Sequence, residues 1–125
     1  MEIVRGAISL DRLQMFHREA AAGQWFELSL MVQLGNIGTE VARSMRAKES
    51  GNEARASNAL ARALDLFDLT MADQRWHGPT LREICRAREV VCDFLVGDNE
   101  YGSTAESLDR YFLPFAVAAR RGSQE

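Results

Sequence analysis

Apolar residues return at helical spacing along most of the chain, and nowhere do they alternate strictly enough to build a strand. Trp25, Leu28, Val32, Leu34, Ile37, Val41 and Met45 mostly follow one another three or four positions apart, and Leu60, Leu64, Phe67 and Met71 repeat the rhythm. A period near 3.6 puts such residues on one helix face. Ala59, Ala63 and Leu66 widen the second stripe, as expected of a helix packed on two neighbours. Composition agrees: 17 Ala and 13 Leu stand against 11 Ile plus Val and only 2 Pro, a balance that favours helix over sheet. The fold class is therefore all-α.

Turn and capping residues divide this pattern. A long helix over residues 24–49 ends at Ser50-Gly51-Asn52, and the next runs over 53–72. Residues 73–79 form a connector. Pro79 suits a first helical turn, and Thr80 with Glu83 has capping-box spacing, so a third long helix follows to about residue 96. Gly97 ends it. After a polar loop, Ser103 and Glu106 give a second capping-box pattern, opening a helix with Leu108, Tyr111, Phe112 and Phe115. Pro114 inside that helix predicts a kink or break. Ser9 can cap a short helix through Ala22, and residues 1–8 and 122–125 are expected to fray. Four long helices with short connectors predict an antiparallel up-and-down four-helix bundle with a short extra N-terminal helix, in a single domain of 125 residues.

Charge narrows the function. The net charge is −3, so the surface as a whole is no general polyanion binder. The distribution is uneven: residues 63–109 hold 10 acidic and 4 basic side chains, whereas residues 1–62 hold 7 and 8. Arg43, Arg46, Lys48, Arg55 and Arg62 gather around the tip between the first two long helices, with Glu40, Glu49 and Glu53 among them. Such a cluster is a candidate contact for phosphate or another anionic partner, or else a surface of internal ion pairs. In an oligomer it could instead meet the acidic helices of a neighbour, a head-to-tail contact that closes into a ring.

Other residues suggest packing or assembly. Gly35 and Gly38 sit inside a helix, where each costs about 1 kcal/mol relative to Ala. They mark a close approach of another helix, from this chain or from a second copy. Trp25, Phe26 and Tyr101 are aromatic anchors for a bundle end or for a partner subunit. Trp76 suits an anchor at a bundle end, and His77 a turn. Arg88 falls in an apolar stripe and needs a carboxylate, with Asp65, Asp68 and Glu40 as candidates. Cys85 and Cys92 lie seven positions apart, about 10 Å along a helix, too far to pair, and read as buried thiols.

No Glu-x-x-His pair, phosphate-binding Gly-rich loop, nucleophile elbow or zinc helix is present, and no cofactor is expected. Residues 1–6 lack the apolar run of a signal peptide, and the longest uncharged stretch, residues 28–39, is too short and polar to span a bilayer. The expectation is a cytoplasmic protein without a membrane partner.

The segment Gln33-Leu34-Gly35-Asn36-Ile37-Gly38-Thr39-Glu40-Val41-Ala42-Arg43, followed by Ala59-Leu60-Ala61-Arg62-Ala63-Leu64-Asp65-Leu66-Phe67-Asp68-Leu69, resembles two related groups of bacterial four-helix-bundle proteins. One is encoded in intervening sequences of 23S ribosomal RNA genes, and the other comprises accessory proteins of diversity-generating retroelements. The likeness covers about residues 30–70. It implies a non-enzymatic homo-oligomer, a ring of five, that contacts nucleic acid or a protein partner. Arg12 and His17 offer an alternative, because their Arg-x4-His spacing resembles the motif of HEPN ribonucleases. That resemblance implies acid–base chemistry on RNA by His17, with Arg12 supporting the phosphate.

Overall fold

The computed structural model describes residues 23–124, and these are helical apart from connectors, with no strand among them. The frayed arm predicted for residues 1–8 and the short helix predicted for 9–22 lie outside the described residues. The four long helices are α1 (Leu30–Glu49), α2 (Glu53–Ala72), α3 (Gly78–Leu95) and α4 (Ala105–Gln124). The bounds of α2 and the turn before it are those the sequence predicts. Gly51 adopts φ +81° and Asn52 accepts the Arg55 N–H at 3.0 Å.

Three boundaries differ from expectation for a local reason, and α4 also stays helical through Gln124, past residue 122 where the sequence predicts fraying. α1 begins at Leu30, because Ser29 caps it by accepting the Val32 N–H at 3.2 Å. The break leaves Trp25 at the end of a helical segment before the turn at residues 26–28, and from there its ring enters the core. α3 begins at Gly78, with Pro79 in the first turn and no side-chain cap from His77. Glu83 is not part of a capping box there; it accepts the Tyr111 hydroxyl at 2.9 Å. The box that opens α4 is one residue later than predicted. Thr104 and Ser107 exchange backbone-to-hydroxyl bonds of 2.9 Å each way, while Ser103 is held in the loop by the Asn99 side chain at 2.8 and 3.0 Å. No break occurs at Pro114: α4 continues through it, with Pro114 on the exposed side, where water can satisfy the freed carbonyl.

α1 is the hub. It pairs closely with both α2 and α4, while α2 and α3 meet over a shorter stretch. Ile37, Val41, Phe67, Ile84 and Val91 are at most 1% exposed and form the centre of the core, each contributing about 1.5–3 kcal/mol through burial. The glycines serve this packing. A Cβ on Gly38 would stand 2.7 Å from Phe112 Cβ, and one on Gly35 would stand 3.0 Å from the Phe115 carbonyl oxygen. Only a residue without a side chain lets α4 lie this close. Polar ties join the remaining pairs. Ser44 donates to the Ala56 carbonyl at 2.8 Å, Arg88 pairs with Asp68 at 3.0 Å, and Lys48 donates to the Leu95 carbonyl.

The end of the α1–α2 pair away from its turn is closed by a buried polar network. Gln33, fully buried, donates to the Trp25 carbonyl at 2.9 Å and to Asp73 Oδ2 at 3.0 Å, and accepts the Trp76 indole N–H at 2.8 Å. The Trp25 indole donates to Thr70 at 3.0 Å. Arg75 grips Asp73 through Nε and Nη2, at 3.0 and 2.7 Å. That grip outweighs burial and, with Gln33, lowers the Asp73 carboxyl to about 2. No buried side-chain polar atom among the described residues lacks a partner.

Candidate anion-binding groove

At the other end of the same helix pair, the sequence brings arginines together by spacing. Arg43 and Arg46 lie three apart on α1, and Arg55 and Arg62 lie seven apart on α2, so each pair shares a helix face. The turn at Gly51 folds the two faces toward each other. The four arginines line one open groove of about 420 Å³, floored by Ala47 and Ala59 and bordered by Ser50. Small floor residues keep the groove open; larger ones would fill it.

Glu40 organises one side. Its two carboxylate oxygens take Arg43 Nη1 at 2.9 Å and Arg62 Nε at 3.1 Å, tying the two helices together. Its side chain is 14% exposed against 56% and 53% for the two arginines, so the anion is recessed and the guanidinium groups face solvent. Arg46 and Arg55 have no carboxylate within ion-pair distance among the described residues. Four guanidinium groups therefore line a groove that no carboxylate among the described residues lines, on a chain whose net charge is negative. Guanidinium forks match phosphate and carboxylate oxygens in bidentate geometry, so the arrangement suits an oxyanion. Ser50 Oγ donates to the Ala47 carbonyl at 3.0 Å.

The structure thus brings together Arg43, Arg46, Arg55 and Arg62, and leaves out Lys48. That ammonium is directed to the carbonyl end of α3 instead, and it does not line the groove. The residues expected at an assembly surface divide. Trp25 is 7% exposed within the core, and Gly35 and Gly38 pack against α4 of the same chain, so these three act in folding. Phe26 and Tyr101 remain exposed, at 38% and 48%. Trp76 anchors the bundle end as expected, and Arg88 takes Asp68 from its three candidates. Cys85 and Cys92 are free but half-buried, a correction to the expectation of full burial. Arg12 and His17 lie outside the described residues.

Sequence reasoning missed the Gln33 network altogether. It also missed Glu40 as the organiser of the groove, although the Glu40–Arg43 spacing of three was a legible signal. Among the described residues no three His, Cys, Asp or Glu side chains gather as a metal site, and no helix is long and apolar enough to cross a membrane. Comparison of the chain with protein-family models, curated proteins and solved structures gives no match.

Proposed function

We propose that this chain is a non-enzymatic accessory protein with an antiparallel up-and-down four-helix topology. It self-associates and holds a phosphate-bearing partner, a nucleic-acid backbone, in the groove between α1 and α2. The observation that carries the reading is the convergence of four arginines on one groove, two of them without a carboxylate partner. The contact order supports the topology. Gln33 meets Asp73 while Ser44 meets Ala56, and Gly35 meets Phe115 while Gly38 meets Phe112, so both neighbours of α1 run against it. The likeness of residues 30–70 to the intervening-sequence and retroelement accessory bundles supports a homo-oligomer that touches nucleic acid. Acidic residues exposed on the later helices, such as Asp65, Glu89 and Asp109, offer a neighbour's basic end a complementary face.

The test combines light scattering after size exclusion with duplex binding followed by fluorescence anisotropy across a salt series. The expected result is an oligomer whose duplex affinity falls steeply with salt. In the double variant Arg46→Glu, Arg55→Glu, the logarithmic salt slope should shrink by about one for each arginine lost. A monomer that binds no duplex at low salt overturns the proposal. An oligomer that dissociates in the double variant, again without duplex binding, assigns the groove to subunit contact instead.

A further inference from the structure

A second cavity lies on the opposite side of the molecule, between α3 and α4, and it is chemically unlike the arginine groove. These two helices are not among the closely packed pairs. The loop between them is braced: Asp93 accepts the Glu100 and Tyr101 N–H groups at 2.7 and 3.0 Å, and Asn99 ties back to Ser103. The gap that remains is a cleft of about 180 Å³ walled by Ala87, Val90, Val91, Leu108 and Phe112. An apolar cavity of roughly 150 Å³ is enough to take up a benzene ring, so this one holds a single Leu- or Phe-sized group.

The rim sets what that group must be attached to. Glu83 and Arg86 both border the cleft. They sit three apart on α3, which places their Cβ atoms about 5–6 Å from each other. Glu83 Oε2 accepts the Tyr111 hydroxyl, and burial of the ring, reinforced by that bond, raises the Tyr111 pKa and keeps the hydroxyl a donor. Glu83 Oε1 is left for another donor. The Arg86 guanidinium stands 5.1 Å over the Tyr101 ring and has no carboxylate partner among the described residues. A ligand with only a carboxylate would meet Glu83, and one with only an ammonium would meet Arg86. A headgroup with both charges satisfies the rim.

We infer that the α3–α4 cleft is a binding site for a free apolar α-amino acid, with the side chain between Val91 and Phe112, the ammonium at Glu83 and the carboxylate at Arg86. The site is separate from the arginine groove and does not depend on the reading given to it.

Saturation-transfer NMR and calorimetry on the full chain test this with L-leucine and L-phenylalanine, compared with benzoate, benzylamine and toluene. The expected result is saturable binding of an amino acid in the millimolar range or tighter. Each single-charge analogue, and each of the exposed-site variants Arg86→Gln and Glu83→Gln, should weaken it by about fivefold, the most that one solvent-exposed ion pair usually supplies. Val90→Phe, which fills the cleft from its half-buried wall, should abolish it while circular dichroism stays helical. Absence of saturable binding overturns the inference. So does toluene binding as tightly as phenylalanine, or amino-acid binding that both charge variants leave unchanged.

Discussion

The two ends of the α1–α2 pair treat charge in opposite ways. At one end, Asp73 and Arg75 form an ion pair whose carboxylate side chain is 3% exposed, and Gln33 and both indoles complete the bonding. At the other end, four arginines line one groove and face solvent, and only two of them, Arg43 and Arg62, pair with the recessed Glu40. The first arrangement leaves no polar group in want of a partner, so it favours one conformation and offers nothing to a ligand. The second has surplus cationic donors, adds little to stability, and is available for binding. Burial with full pairing marks the structural end; exposure with incomplete pairing marks the functional one.

Substitutions can sharpen this contrast. The largest effect is expected from Gln33→Leu, which keeps the volume but leaves the Trp76 N–H, the Trp25 carbonyl and one Asp73 oxygen without Gln33. Unfolding by urea should show a loss of about 3 kcal/mol or more. A loss below 1 kcal/mol would mean that water replaces the amide and that this end is not sealed. Next comes Gly38→Ala, where two effects compete. Helix propensity favours alanine by about 1 kcal/mol, but the new methyl meets Phe112 Cβ and Cγ at 2.7 and 2.8 Å. Those atoms lie too near the α4 backbone to swing away, so overpacking of about 1–3 kcal/mol should win and lower the melting temperature.

A third effect is pH-dependent. The Asp73 carboxyl is depressed from 3.8 to about 2 on folding, so its contribution is complete above 3.8 and is lost as pH falls toward 2. Acid titration of stability should therefore slope downward in that window for the native chain and be flatter there for Asp73→Asn. The smallest change in stability is expected at the open end. Arg46→Glu with Arg55→Glu should alter unfolding free energy by no more than about 0.5 kcal/mol per site, while weakening duplex binding and flattening its salt dependence. Substantial unfolding in that variant would erase the contrast between the two ends.

What the sequence revealed follows from range. α2 was legible to the residue because its signals are local: Gly51 and Asn52 before it, an uninterrupted apolar stripe within it, a polar connector after it. The arginine cluster was legible because a short turn between two helices forces residues on either side of it together. Lys48 was misplaced because a lysine at a helix end can reach any nearby carbonyl, and the one it takes belongs to Leu95, 47 positions away. Gln33 was invisible for the same reason, since Asp73 and Trp76 lie 40 and 43 positions off and an amide in an apolar run carries no mark of burial. The α3–α4 cleft is a space left between elements, which no periodicity encodes. Gly35 and Gly38 announced a close approach, but not whose helix would make it.

That approach has a consequence in time. The face of α1 that carries Gly35 and Gly38 is covered by α4, the last helix, and not by the next one along the chain. At a ribosome adding about 5–20 residues per second, this face, with Ala42 beside the glycines, stays uncovered for on the order of several seconds after α2 is made. During that interval the nascent chain presents a glycine-notched strip of small residues to whatever is near, including the same strip on an adjacent nascent copy.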